Sequence, residues 1–239
     1  MRNMNAECRN ISVLLAAYRD DRYITEQIVS VLPQLREHDE LLVGDDSPGG
    51  HLAIKKAVLS FMDPRVKYLR GPGLGTIKNV EFLLGRAGGD ILVLCDQDDV
   101  WLPEKLERIR KHLPVQEPAV LLHDAKLADA HLNITCGSLF ELRKVKTGLW
   151  RNLIKNGFTG CCMALTKELL PYVLPFPAGI PMHDQWIGLQ AIRHGKVILI
   201  HEPLILYRRH AGAQTGQATS LRQKIKWRVG IVRALLFKR

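Results

Sequence analysis

Asp90-Ile-Leu-Val-Leu-Cys-Asp-Gln-Asp-Asp-Val-Trp101 contains five successive apolar residues, Ile91 to Cys95, and then three carboxylates, Asp96, Asp98 and Asp99. An uninterrupted apolar run of that length fits a strand buried on both faces, as in a parallel sheet. Carboxylates massed at its C-terminal end are costly unless positive charge lies there. A divalent cation held by oxygen ligands and shared with a phosphate-bearing substrate would supply it. Residues two apart on an extended chain point to the same side, so Asp96 and Asp98 suit one ion. The same residues also suit a solvated turn whose aspartates cap a helix opened by Pro103. The run alone leaves both readings open.

N-terminal to this run, strand and helix patterns alternate. The residues predict strands at 11–17, 41–44 and 66–69, and helices over 22–35, 51–62 and 76–87. That is the pattern of βαβ units with right-handed crossovers in a parallel sheet. Ligands of such sheets bind beyond the C-terminal strand ends. Tyr18, Asp46 and Asp96 stand at three of those ends and are expected around one site. The second half is less regular. It predicts a polar connection over 124–147, a helix over 149–156, a strand at 161–165 and a Pro-rich turn at Pro175, Pro177 and Pro181. A helix entered by His183-Asp-Gln-Trp186 then runs to about His194, and a strand at 197–200 follows.

The chain of 239 residues shows no linker, repeat or low-complexity run, and its 46% hydrophobic content supports a sizeable core. A single domain over 1–216 with a tail over 217–239 is expected. The Gly71-Pro-Gly-Leu-Gly75 loop lacks dinucleotide-binding spacing and follows the third strand. Phosphate-loop and nucleophile-elbow motifs are missing from the sequence. Of the net charge of +10, nine positive charges fall after Glu202, where no acidic residue occurs, so the first 202 residues carry only +1. This points to a local anionic partner and away from nucleic acid. Cys8, Cys95, Cys136, Cys161 and Cys162 show no zinc spacing and read as reduced thiols of a cytoplasmic protein. No apolar leader or 18-residue apolar span is present in the sequence.

Five ordered segments resemble a known family: Leu15-Ala-Ala-Tyr-Arg19; Val43-Gly-Asp-Asp-Ser47; Lys78-Asn-Val-Glu-Phe82; Cys95-Asp-Gln-Asp-Asp-Val-Trp-Leu-Pro-Glu-Lys105; and His183-Asp-Gln-Trp186 with Tyr207-Arg-Arg-His210. The chain resembles an inverting family 2 glycosyltransferase, in particular the bacterial rhamnosyltransferase-like branch. The resemblance implies the GT-A fold, an α/β Rossmann-like and mostly parallel central sheet flanked by helices. It implies donor contacts from Ala16, Tyr18, Asp46, Lys78, Asp96, Gln97, Asp98, Arg208 and Arg209. Tyr18 would lie against a pyrimidine base and Asp46 would accept its N3–H. Lys78, Arg208 and Arg209 would face the diphosphate. Asp96 and Asp98, with His210, would hold Mg²⁺ or Mn²⁺, while Asp99 would orient the following segment. Asp184 would be the general base, and Trp186 would pack on the acceptor or in the core. The first-strand motif departs from the family's usual Thr-Tyr-Asn, which removes one hydroxyl.

In the tail, Leu221, Ile225, Val229, Val232, Leu235 and Leu236 share one helical face with Arg222, Lys226 and Arg233 beside it. This reads either as a basic amphipathic helix on an anionic membrane surface or as a terminal helix docked on its own domain. The expected function is transfer of rhamnose or another hexose from a dTDP- or UDP-sugar to a glycan or lipid-linked acceptor. The setting would be bacterial surface-polysaccharide biosynthesis at the inner face of the plasma membrane. The alternatives are a nucleotidyltransferase and a non-catalytic membrane-surface protein with a degenerate transferase fold.

Overall fold

A computed structural model describes residues 9–19, 22–114, 116–209 and 220–237. The first half alternates as the apolar pattern requires. It runs through β1 (Ile11–Ala17), α1 (Ile24–Val31), β2 (Glu40–Asp45), α2 (Leu52–Leu59), β3 (Val66–Arg70), α3 (Thr76–Leu84) and β4 (Ile91–Asp96). The second half continues with β5 (Val100–Trp101), α4 (Lys105–His112), β6 (Ala119–Ala128), β7 (Ile134–Cys136), α5 (Leu139–Arg143) and α6 (Leu149–Ile154). It closes with β8 (Met163–Thr166), α7 (Leu170–Val173), α8 (His183–His194), β9 (Lys196–Arg208) and α9 (Leu221–Phe237).

The strands form one mixed sheet in the order β3-β2-β1-β4-β8-β6-β9-β5, with β7 on β6. The half made of β3, β2, β1 and β4 is parallel. Beyond β4, β8 runs antiparallel to both neighbours, and β6 and β9 pair parallel. Period-two alternation sends Val13, Leu15, Val43 and Val93 into a core layer with α1, α2 and α4. Leu14, Leu42, Leu92 and Leu94 enter the opposite layer with α3, α7 and α8. The helices meet these layers through stripes such as Ile24, Ile28 and Val31 on α1.

Register brings the site together. Ala16 of β1 stands opposite Gly44 of β2 and Asp96 of β4, so three strand ends finish level. At Gly44 a Cβ would lie 2.7 Å from Asn79 Oδ1, which is why α3 sits so close beneath this edge.

Two expectations in the second half need correction. The stretch predicted as a polar connection from 124 starts inside β6, where Asp124 and Ala125 are buried in a ten-residue strand. The strand predicted at 197–200 runs on to Arg208. Pro203 cannot donate to a ladder and so reads as a strand end. The structure absorbs it at register shifts on either side of Asp124, the residue it faces.

The tail forms a helix that docks on the domain by part of its surface. α9 buries Ile231 and Ala234 against the domain, and Arg193 Nη1 donates to Leu235 O at 2.6 Å. Ile225, Val229, Val232 and Leu236, from the expected apolar face, stay exposed. The boundary expected at 216/217 lies outside the described residues.

Candidate functional site

The ends of β1, β2 and β4 form the floor of the site. Gln97, just past β4, clasps the end of β1: its Oε1 accepts the Tyr18 N–H at 2.9 Å and its Nε2 donates to Tyr18 O at 3.2 Å. Tyr18 remains 39% exposed, with the Arg19 guanidinium over its ring, 5.0 Å from the centroid. At the end of β2, Asp46 accepts the N–H of Gly73 at 2.7 Å and of Gly75 at 2.6 Å. Both glycines have positive φ, 72° and 91°, a backbone state that turns these amides toward the carboxylate without a Cβ penalty. Asp46 therefore organises the Gly71–Gly75 loop, one amide on each carboxylate oxygen. Asp45, which the sequence reading left without a role, accepts from Ser47 N, His51 N and Tyr68 Oη and closes β2.

The carboxylates after β4 divide by environment. Burial, followed by the charges of Asp98 and Asp184, pushes the Asp96 carboxyl up to about 7, with Lys105 acting against the rise. Asp184, from the first turn of α8, is therefore an electrostatic neighbour of Asp96. Its Oδ1 accepts from Asn156 Nδ2 at 3.1 Å and from Gln185 N at 2.6 Å. Asp99 is fully buried and accepts the backbone N–H of Arg208 at 3.0 Å. Burial and its two neighbouring carboxylates raise the Asp99 carboxyl as well.

Beneath them lies Lys105, also fully buried, with its ammonium 3.9 Å from the Trp101 ring centroid and 3.1 Å from Cys161 O. Asp96, Asp99 and Cys161 have ligand atoms within 4.8 Å of one another. Cys161 suits a hard cation poorly: the Cys162 thiol and burial hold its own thiol in the protonated form. Lys105 already places a positive charge there. The oxygen pair Asp96 and Asp98 is the better fit to Mg²⁺ or Mn²⁺.

Of the three expected diphosphate contacts, Arg208 is committed elsewhere. The Arg208 side chain is 3% exposed. Its Nε donates to Asp98 O at 2.8 Å, its Nη1 to Ala130 O at 2.7 Å, and its Nη2 bonds Glu26. The guanidinium also lies 4.2 Å from the Tyr23 ring centroid. It clamps the carboxylate loop to α1 instead of facing solvent, because β9 runs past its predicted end and carries it inside. Lys78 Nζ pairs with Glu81 Oε2 at 2.5 Å on its own helix. Arg209 N–H donates to Ala128 O at 2.8 Å and its guanidinium lies over Tyr207. Trp186 is core: fully buried, with Nε1 donating to Val173 O at 2.9 Å. His210 lies outside the described residues. Sequence reasoning missed Lys105 and Asn156. Lys105 was visible as the last residue of the carboxylate segment, whereas nothing local marks Asn156.

A cleft of about 320 Å³ lies away from the strand ends, against β6 and α5, lined by residues including Asp124, Phe140, Lys144 and His201. Carboxylates level at the ends of a parallel half-sheet, with Tyr18 beside them and Asp184 as a further carboxylate, are the arrangement of a GT-A fold.

Comparison agrees with that class. The Glycosyl transferase family 2 profile matches residues 12–172, and the chain belongs to that family. It is 26% identical over 196 residues to the UDP-Glc:alpha-D-GlcNAc-diphosphoundecaprenol beta-1,3-glucosyltransferase WfgD of Escherichia coli, covering 80% of this chain and 73% of that protein. In structure it is similar to residues 1–349 of S. aureus TarS in complex with UDP-GlcNAc. The TM-score is 0.73 and the identity 18%, over 95% of this chain and 67% of that one. It is also similar to glucosyl-3-phosphoglycerate synthase from Mycobacterium tuberculosis in complex with Mn²⁺, UDP and glucosyl-3-phosphoglycerate. There the TM-score is 0.60 and the identity 18%, over 96% of this chain and 80% of that one. Family membership sets the nucleotidyltransferase alternative aside. Among the described residues no helix is long and apolar enough to cross a membrane.

Proposed function

We propose that the chain is an inverting hexosyltransferase that uses a UDP-sugar or dTDP-L-rhamnose and acts on a glycan or lipid-linked acceptor of a bacterial surface polysaccharide. The observation that supports this reading is Asp184, fixed in the first turn of α8 by Asn156 and the Gln185 amide, whose charge helps to raise the Asp96 carboxyl. This supports Asp184 as the base acting near the carboxylates that would hold the donor's diphosphate. The acceptor hydroxyl oxygen attacks the anomeric carbon on the face opposite the nucleotide. The C1–O bond to the diphosphate breaks, its electron pair leaves with the nucleoside diphosphate, and the hydroxyl proton passes to Asp184. Asn156 and the Gln185 amide hold Oδ1, which leaves Oδ2 for that proton.

Asp96 and Asp98 would hold Mg²⁺ or Mn²⁺, which supplies charge neutralisation at the departing diphosphate. Tyr18 offers a flat face to the base, Asp46 an acceptor for its N–H, and Gln97 keeps β1 and β4 aligned beneath the nucleotide. Arg208 acts through Asp98 by holding its carbonyl. UDP-bearing substrates and ligands in the names of the E. coli, S. aureus and M. tuberculosis relatives favour UDP as the nucleotide. The exposed stripe of α9, flanked by Arg222, Lys226 and Arg233, supports peripheral attachment to an anionic bilayer.

The test is nucleoside diphosphate release by the purified chain from UDP-glucose, UDP-GlcNAc and dTDP-rhamnose with Mn²⁺. At least one donor should turn over, and both excess EDTA and Asp98→Ala should abolish release. Full turnover in either condition contradicts the metal assignment. Failure of every donor contradicts the transfer reading.

A further inference from the structure

Between α5 and α8 the surface is strongly basic. Arg143, Lys144, Lys146, Arg151 and Lys155 surround a shallow depression closed by Asn156 and Gly157. None of the five forms an ion pair among the described residues. A buried polar frame fixes the backbone that carries them. Asn152 is 1% exposed, and its Nδ2 donates to Lys146 O at 2.7 Å and to Gly148 O at 2.9 Å. Its Oδ1 accepts Gly157 N–H at 2.8 Å. Arg143 Nη1 is tied to Thr159 Oγ1 at 2.9 Å. The same frame reaches the proposed base twice: Gln185 Nε2 donates to Asn152 O at 2.7 Å, and Asn156 Nδ2 donates to Asp184 Oδ1. Unbalanced positive charge is thus built beside the group that would deprotonate the acceptor, separately from the carboxylates that would hold the donor.

The other stripe of α6 is apolar and bare, with Trp150 78% and Ile154 66% exposed. Arg151 and Lys155 follow at the same four-residue spacing, so an apolar and a basic row run side by side. α9 packs onto this helix, with Arg228 Nη2 donating to Ile154 O at 3.1 Å, and turns Ile225, Val229, Val232 and Leu236 outward. Five cations exceed what one phosphate monoester needs, and an apolar row beside them has no use for a water-soluble sugar phosphate.

We propose that this depression is the acceptor subsite for the diphosphate group of an amphiphilic lipid, whose apolar chain lies over Trp150 and Ile154 toward the outer face of α9. The inference rests on the transfer reading above and names its acceptor class. Its test uses the full chain and farnesyl diphosphate in neutral dodecyl maltoside micelles, followed by calorimetric titration. Farnesol, inorganic diphosphate and phosphatidylglycerol vesicles serve as comparison ligands. The wild type should bind farnesyl diphosphate at least about tenfold more tightly than farnesol or inorganic diphosphate, and the exposed double substitution R151Q/K155Q should remove that advantage. Stabilisation by UDP with Mn²⁺ should be equal in both proteins. The proposal is overturned if R151Q/K155Q binds farnesyl diphosphate as the wild type does, or if inorganic diphosphate alone binds as tightly. It is also overturned if the substitution weakens phosphatidylglycerol binding just as much, since the site would then be a general headgroup surface. Absence of a UDP–Mn²⁺ effect in the wild type would instead count against the transfer reading and leave the lipid comparison readable.

Discussion

Lys105 shows how one side chain decides what its neighbours do. It is fully buried under Asp96 and Asp99, stacked on Trp101, and it partly offsets two carboxylates that repel each other. Lys105→Met keeps the volume and removes the charge. Leaving buried carboxylates unbalanced should cost about 3 kcal/mol or more in urea unfolding, and a loss under 1 kcal/mol would show that the charge is not needed. The carboxylate segment was legible as a unit because five apolar residues precede it and a tryptophan and a proline follow. The division of labour inside it was not. The Asp99 carboxylate takes the Arg208 amide, and Arg208 holds the Asp98 carbonyl, only because β9, a hundred residues later, passes behind the loop. Arg208 itself reads in sequence as a surface cation next to Arg209. The long-range contacts that bury it leave no local trace.

At the scale of elements, the first four strands and their crossover helices were readable from periodicity, since each is short, apolar and punctuated by turn residues. β6 was not, and β9 only at its start, because polar residues and a proline interrupt them and each is stabilised by pairing with the other. His123 marks the join. It is fully buried in β6, its ring Nδ1 lies 2.7 Å from Asp124 O, and burial holds its pKa well below the ordinary value. The native state therefore disfavours the protonated ring. The stability this protects is complete above the unfolded value near 6.5 and falls as the pH drops below it, by about 1.4 kcal/mol per pH unit. Urea unfolding at pH 7 and pH 5 should show this loss, and His123→Asn should flatten the slope. Identical slopes for the two proteins would contradict this assignment of the acid limb. α9 was legible as an amphipathic helix, with docking on its own domain one of two open readings. Its two faces are both partly apolar, and sequence alone cannot rank them.

Across the whole molecule the account places three functions around one sheet edge. In the proposed reading the donor would lie over the ends of β1, β2 and β4, the base would come from α8, and the acceptor's charge and lipid would meet α6 and α9. Level register among the parallel strands makes this possible, since Ala16, Gly44 and Asp96 end in line. Separation of donor and base is what an inverting displacement requires, because the nucleophile must enter opposite the leaving group. The most direct measurement is Asp184→Asn, assayed for UDP–Mn²⁺ stabilisation and for transfer on the same preparation. The account predicts an unchanged thermal shift with UDP and transfer lowered by about 10²- to 10⁴-fold, the usual worth of a general base. Transfer at the wild-type rate, or loss of nucleotide binding together with transfer, would contradict it.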